Sequence, residues 1–195
     1  MKHLEIYRKH LAEFQDVVET GGKTKQKRAL NERQVEEIKS LGFKPGTFAE
    51  ACMKEAVELS GLTFSNSGPV RVDFHETTQK QRFHPDGYIP ELGCYLESKN
   101  YSFGTSGTAN EKLFGFLFKL SMYDKPCILV FAGEHELKIH DECKLIWSVF
   151  HNDPIYRGVT FSRDILEMRD AKKLFLANLS TLSTDIPRIK RQLNR

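Results

Sequence analysis

The residues best suited to chemistry lie in one short segment, HPDGYIPELGCYLESKN, which spans residues 84–100. Asp86 precedes a Pro-Glu-Leu-Gly turn at 90–93, and Glu97 and Lys99 follow that turn. If the turn joins two paired strands, Asp86 lies across the hairpin from Glu97. Because side chains alternate along a strand, Glu97 and Lys99 then share one face. Two carboxylates and an ammonium group are therefore predicted to converge.

Two directly opposed carboxylates destabilise a hairpin, so a bound cation explains the pair better than fold stability does. Mg²⁺ prefers carboxylate and carbonyl oxygens and leaves positions for water and substrate phosphate. We expect Asp86 and Glu97 to bind it, with Ser98 as a further ligand. Such an ion would polarise a phosphate and activate water, while Lys99 orients that water or neutralises developing charge. The predicted reaction is phosphodiester hydrolysis.

The whole chain has an ordinary globular composition. Its 195 residues, 39% hydrophobic and 28% charged, fit one domain better than two. Four cysteines without a CxxC pair favour reduced thiols and a cytoplasmic protein. The sequence contains no apolar run of membrane-spanning length, and its charged N-terminus is unlike a signal peptide. A cytoplasmic protein without a membrane partner is expected.

Hydrophobic spacing predicts the elements that must position the segment. A Thr47-x-x-Glu50 capping box marks one helix start, and the apolar run 126–132 predicts a central strand that is covered on both faces. Strands 81–89 and 93–101 flank the turn and belong to a predicted antiparallel meander. The predicted helices cover 4–18, 31–41, 47–59, 108–122, 136–150 and 164–182, and the other predicted strands cover 70–74 and 158–161. This order indicates one mixed α/β domain with helical additions at both ends.

The pair Pro85-Asp86, followed by Glu97-x-Lys99, resembles the signature of the PD-(D/E)xK nuclease superfamily. In that family a Pro-Asp on one strand of a hairpin precedes a Glu/Asp-x-Lys on the next strand. The family core consists of a helix, a three-strand meander, a helix and a further strand. The same order is predicted from spacing over residues 47–132.

The resemblance implies a restriction-endonuclease-like core, in which a mixed central sheet is flanked by helices. It implies a single nuclease domain, with a helical N-terminal layer in 1–43, the catalytic core in 44–162 and C-terminal helices in 163–195. Family members often carry a further acid on the helix before the meander. Glu50 is the best match for that catalytic role, and Glu55 is the reserve.

A second segment, GTANEK at 107–112, is similar to the Gly-Asn-Ala-x-Glu-Arg segment of EcoRI-like restriction endonucleases. In those enzymes the segment reads bases in the major groove. Lysine can donate to guanine and asparagine can pair with adenine, so Lys112 and Asn110 are predicted to read bases. A capping box and a solvated lysine explain the same residues without DNA. The residues expected to contact DNA here are Ser106, Thr108, Asn110, Glu111 and Lys112.

The net charge of +3 is small, but the basic residues are clustered. Residues 21–28, GGKTKQKR, contain no acid and are predicted to form a loop between two helices. Such a loop can bind the phosphates of duplex DNA or can simply be solvated. Its basic members are Lys23, Lys25, Lys27 and Arg28.

These features predict a Mg²⁺-dependent, sequence-specific endonuclease for double-stranded DNA. A type II restriction enzyme that leaves 5′-phosphates is the leading hypothesis, and palindromic duplex sites favour a homodimer. A structure-specific or repair nuclease with the same site but no base readout is the alternative. A DNA-binding module that has lost catalysis is a third hypothesis, against which the intact Asp86, Glu97 and Lys99 count.

Overall fold

The structure is a computed structural model that describes residues 2–66, 70–72, 81–101, 115, 117, 119–154 and 160–194. The predicted base-reading residues lie outside these ranges, namely Ser106, Thr108, Asn110, Glu111 and Lys112.

A mixed four-stranded sheet lies at the centre of the fold. The described strands are β1 (Val70–Val72), β2 (Gln81–Phe83), β3 (Gly87–Ile89), β4 (Cys94–Tyr101), β5 (Cys127–Gly133) and β6 (Leu174–Asn178). The sheet order is β3-β4-β5-β6, in which β3 is antiparallel to β4 while β4, β5 and β6 are parallel. β1 and β2 form a separate antiparallel pair. The mixed α/β class predicted from spacing is confirmed.

Helices cover both faces of this sheet. They are α1 (His3–Glu19), α2 (Thr24–Ser40), α3 (Pro45–Leu59), α4 (Asp141–Phe150), α5 (Thr160–Asp170) and α6 (Leu182–Leu193), and residues 119–121 are also helical. Alternate residues of β5 serve two cores: Ile128 packs with α1, α3 and α6, whereas Leu129 packs with α4 and α5. Every residue of β5 is buried, which confirms the predicted central strand.

The predicted strand 81–89 is interrupted. It forms β2 and β3, which belong to different sheets, with residues 84–86 between them. Proline has no backbone N–H to donate to a sheet, so Pro85 suits this break. The predicted meander is therefore two antiparallel pairs rather than one continuous ribbon.

The predictions for the C-terminal third were wrong in three places. Residues 134–138 form turns, so the helix predicted to begin at 136 begins at Asp141. Residues 160 and 161 belong to α5 rather than to the predicted strand 158–161, whose first two residues lie outside the described ranges. Helix α5 ends at Asp170, Lys172 has a φ of 55°, and β6 follows within the span predicted as helix 164–182. Leucine favours helices, but Leu174 and its neighbours are buried against β5 instead.

A buried polar contact fastens α1 to the carboxyl end of β5. The Tyr7 hydroxyl donates to Glu136 Oε2 at 2.7 Å and accepts from the Gly133 N–H at 2.7 Å. The Ser180 hydroxyl and backbone N–H also donate to the Glu136 carboxylate. Burial raises the pKa of Glu136, while these hydrogen bonds favour its charged form. The Tyr7 hydroxyl thus forms hydrogen bonds with two buried groups, one at the end of β5 and one in the turn that follows it.

Removing this hydroxyl should destabilise the fold. Tyr7→Phe leaves a buried carboxylate oxygen and a buried N–H with one partner fewer, which should lower the free energy of unfolding by about 1–3 kcal/mol. Urea denaturation measures the loss. Tyr88→Phe, at a half-buried tyrosine of β3, is the control and should lose much less. Equal stability of Tyr7→Phe and the native chain would contradict the proposed contact.

Candidate active site

The hairpin of β3 and β4 has the predicted register. The paired residues are Gly87 with Leu96, Tyr88 with Tyr95 and Ile89 with Cys94. Continuing this pairing by one residue places Asp86 across from Glu97. A hydrogen bond from the Ser98 N–H to Asp86 Oδ2, at 2.7 Å, fixes the carboxylate against β4.

Residues 90–93 form the turn that sets this register. Gly93 has a φ of 62°, in the left-handed region that favours glycine, and its N–H donates to Pro90 O at 3.2 Å. The length of a hairpin turn fixes strand pairing, and a slip of one residue would move every side chain to the opposite face. The turn therefore positions Asp86 against Glu97 from outside the site.

Glu97 carries the most enclosed charge of the site, at 3% exposure. Its Oε1 accepts hydrogen bonds from Lys119 Nζ at 2.9 Å and from Lys99 Nζ at 3.4 Å. Its Oε2 accepts from the Tyr123 hydroxyl at 3.1 Å. Burial, followed by the Glu97 charge, raises the pKa of Tyr123, so this hydroxyl remains a donor. Two ammonium groups and a hydroxyl together stabilise the buried carboxylate.

The predicted division of β4 into two faces is confirmed for its described side chains. Cys94 and Leu96 belong to the core beneath α1 and α3, whereas Tyr95 belongs to the opposite core. Glu97 lies on the Tyr95 side, where it meets Tyr123. Alternation along a strand accounts for this arrangement. The charged groups therefore gather on the face of the sheet that α4 and α5 also cover.

Asp86 is half-buried, and the charges of Glu97 and Glu50 act on it. Burial, then the charge of Glu97, and to a smaller extent that of Glu50, raise its pKa to about 6. The Ser98 N–H and the Lys99 ammonium act in the opposite direction. A carboxyl whose charged form is disfavoured in this way would gain from a nearby cation.

The pKa of Lys99 is also shifted by burial. Burial lowers its pKa, the charge of Glu97 raises it, and the charge of Lys119 lowers it further. Its backbone oxygen lies 3.3 Å from His135 Nδ1, at the carboxyl end of β5. A lysine with a lowered pKa exchanges its proton more readily near neutral pH than an exposed lysine does.

The two acids considered on α3 have different surroundings. Glu50 is exposed, and its charge is one of those that raise the pKa of Asp86. Glu55 accepts from the Leu4 N–H at 3.2 Å and lies 3.7 Å from His3 Nδ1, so it stabilises the start of α1. Of the two, Glu50 is the acid whose charge acts on the candidate site.

The predicted capping box at Thr47 and Glu50 was wrong. Helix α3 begins at Pro45, since proline suits the first helical position, and the Thr47 hydroxyl accepts from the Lys44 N–H at 3.1 Å. Thr47 is therefore the third residue of the helix rather than its cap. Glu50 lies one turn further on and has no capping role.

The basic residues predicted as a loop lie mostly on α2. This helix begins at Thr24, so only Lys23 precedes it. Lys23 and Lys25 are exposed, Lys27 is half-buried, and Arg28 Nε lies 3.0 Å from a Glu32 carboxylate oxygen. The cluster can still present positive charge to a polyanion, although from the first turns of a helix.

The donor set of the hairpin suits a hard cation. Asp86 and Glu97 provide carboxylate oxygens, and the raised pKa of Asp86 indicates negative charge that a cation would relieve. Among the described residues, no group of three or more His, Cys, Asp or Glu side chains is arranged to hold a metal. Mg²⁺ commonly uses only one or two carboxylates and completes its shell with water and phosphate oxygens. The residues present therefore fit Mg²⁺ bound with substrate better than a closed structural metal site.

Two residues of this site were not predicted from the sequence. Lys119 and Tyr123 lie four positions apart at the end of the helical segment before β5, and both contact Glu97. Lys119 belongs to the helical residues 119–121, whereas Tyr123 follows them. Helical spacing in the predicted helix 108–122 was the available signal for Lys119, but it does not identify the strand that a residue faces.

Comparisons with protein-family models, curated proteins and solved structures found no significant match. Within the described ranges, no helix is both long and apolar enough to cross a membrane. The fold and site define the class of protein in general terms: an α/β domain in which the hairpin of β3 and β4 carries two carboxylates and a lysine beside a second lysine.

The raised pKa of Asp86 predicts an unusual dependence of stability on pH. Between its ordinary value of 3.8 and about 6, the folded metal-free protein binds more protons at Asp86 than the unfolded chain. Stability should therefore fall as pH rises through this range, by about 3 kcal/mol at most. Asp86→Asn keeps an oxygen for the Ser98 N–H and should remove this decline.

Urea denaturation at pH 4, 5, 6 and 7 in a chelator measures the effect. All other titrating groups are common to both proteins, so the difference between native and Asp86→Asn curves isolates this carboxyl. Parallel curves across the whole range would mean that the pKa of Asp86 is not raised in the fold.

Proposed function

We propose that this chain is a Mg²⁺-dependent endonuclease of the PD-(D/E)xK type, which hydrolyses phosphodiester bonds in double-stranded DNA and leaves 5′-phosphates. The observation that supports it best is the hairpin register, which brings Asp86 opposite Glu97 with Lys99 on the Glu97 side. Sequence spacing alone had predicted that register. The restriction-endonuclease-like core is part of the same proposal.

Asp86 and Glu97 would hold Mg²⁺, with Ser98 as a further ligand, and the ion would supply Lewis-acid polarisation of the scissile phosphate and a more acidic water. Lys99 orients the attacking water or donates to a phosphate oxygen, and its lowered pKa suits proton exchange. Tyr123 keeps the Glu97 carboxylate in one orientation through Oε2. Glu50 adds negative charge on the Asp86 side.

Duplex DNA is the proposed substrate because the sequence contains two further segments that suit DNA, one basic and one polar. The basic residues at the start of α2 would contact phosphates, and Asn110, Glu111 and Lys112 would contact base edges. Ser106 and Thr108 would support that readout. We propose a type II restriction enzyme that acts as a homodimer, since a palindromic site needs two equivalent active centres.

The direct test is digestion of a sequenced circular plasmid with Mg²⁺, followed by mapping of every fragment end. Discrete ends with 5′-phosphates at a repeated sequence are the expected result. A four-way DNA junction is digested in parallel. Preference for the junction, with equal cutting of unrelated linear sequences, would instead support the structure-specific nuclease.

Substitutions within the hairpin should separate catalysis from DNA binding. Asp86→Ala, Glu97→Ala and Lys99→Ala should each abolish cleavage while leaving duplex affinity, measured without divalent metal, largely intact, because their proposed tasks concern the metal and the transition state. Glu58→Gln, an exposed acid on α3, is the matched control and should cut normally. Near-normal turnover in either carboxylate variant would refute the site assignment.

The basic cluster gives an independent prediction about substrate. Changing Lys23, Lys25, Lys27 and Arg28 to glutamine should weaken binding to every duplex alike. Each lost phosphate contact should reduce the slope of log affinity against log salt by about 0.9. Lys39→Gln, at the other end of α2, is the control, since Lys39 pairs with Glu36 at 2.6 Å. An unchanged slope in the cluster variant would mean that this helix start is only solvated.

A further inference from the structure

Among the described residues, the ammonium group closest to Glu97 belongs to Lys119 rather than to Lys99. Lys119 Nζ lies 2.9 Å from Glu97 Oε1, whereas Lys99 Nζ lies 3.4 Å from the same oxygen. Lys119 comes from a separate segment, just before β5, and its side chain is 22% exposed. Glu97 Oε1 is therefore already paired with a lysine that can also reach solvent, while Oε2 accepts from Tyr123. A metal held by Glu97 through Oε1 would meet this lysine.

Lys119 and a divalent cation would compete for this oxygen. A carboxylate oxygen that binds a metal cannot keep an ammonium group at the same distance without repulsion between the two cations. Tyr123 does not have this conflict, because it donates to the other oxygen, Oε2, and carries no charge. Metal binding at Oε1 thus requires Lys119, and to a smaller extent the more distant Lys99, to move while Tyr123 maintains the orientation of Glu97.

We propose that Lys119 is a counterion that a DNA phosphate draws away from Glu97, so that the site binds its metal tightly only when DNA is present. This inference rests on the proposed nuclease function. A phosphate at the site offers Lys119 an alternative anion, and the flexible lysine stem allows the ammonium group to change partner. Because coupling between two ligands is reciprocal, the metal should strengthen DNA binding by the same factor.

Lys119 is a positioning residue in this scheme, and binding measurements test it without relying on activity. Calorimetry gives the affinity for Ca²⁺, which uses the same kinds of oxygen ligand as Mg²⁺ and serves as the probe ion. Fluorescence anisotropy gives the affinity for a labelled duplex with and without Ca²⁺. The variants are Lys119→Met, which removes the charge, Lys119→Gln, which keeps a polar group, and Lys119→Arg, which keeps the charge.

In the native protein, Ca²⁺ should strengthen duplex binding about tenfold or more. Free Lys119→Met and Lys119→Gln should bind Ca²⁺ about tenfold more tightly than the native protein, and Ca²⁺ should then change their duplex affinity less than about threefold. Lys119→Arg should retain the native coupling. Lys125→Met is the matched control, because Lys125 pairs with Asp124 at 2.9 Å instead of with Glu97, and it should behave as the native protein does.

The two proposals fail in different ways. If the native protein binds Ca²⁺ through Asp86, as judged by loss of binding in Asp86→Asn, but both charge-removing variants keep native affinity and coupling, the role of Lys119 is refuted alone. If Asp86→Asn and the native protein bind Ca²⁺ equally, or neither binds it even with DNA, the metal site itself is refuted and the proposed function fails with it.

Discussion

The buried charge of Glu97 is the constraint on which the rest of this site depends. A carboxylate with 3% exposure has lost nearly all of its hydration and requires partners inside the protein. Lys99, Lys119 and Tyr123 provide them, from the same strand and from the segment before the next strand. The parallel pairing of β4 with β5 brings that segment over the hairpin. The order of the strands in the sheet therefore supplies the partners that the buried Glu97 carboxylate requires.

Asp86 differs from Glu97 in the charges that surround it. Fewer positive groups act on it, and burial together with Glu97 and Glu50 disfavours its ionised form. Glu97 thus accepts hydrogen bonds from three side chains, whereas the surroundings of Asp86 disfavour its ionised form. Such an asymmetric pair is ready to respond to added positive charge, which a structural ion pair is not. This property, more than the residue types alone, distinguishes the hairpin from an ordinary surface turn.

The features that could be predicted from the sequence are those that depend on residues close together in the chain. The turn at 90–93 fixes the hairpin register, and the apolar run in β5 identifies a buried strand, because both signals are local. The partnership of Lys119 with Glu97 depends on how the chain returns to the sheet, which spacing does not encode. β6 was predicted as part of a helix from hydrophobic spacing, whereas burial beside β5 decided its conformation. The capping box at Thr47 failed for a different reason: a local signal, Pro45 at the first helical position, starts α3 two residues earlier.

The late position of β6 in the chain leaves one edge of β5 uncovered during synthesis. β5 lies between β4 and β6, and all of its residues are buried. Until residues 174–178 emerge from the ribosome, β5 has no neighbour on that side and exposes unpaired backbone groups beside a fully apolar strand. Such an edge can pair with another chain and promote aggregation. Truncated or stalled products that end before β6 would therefore carry this liability, even though they contain every residue of the hairpin formed by β3 and β4.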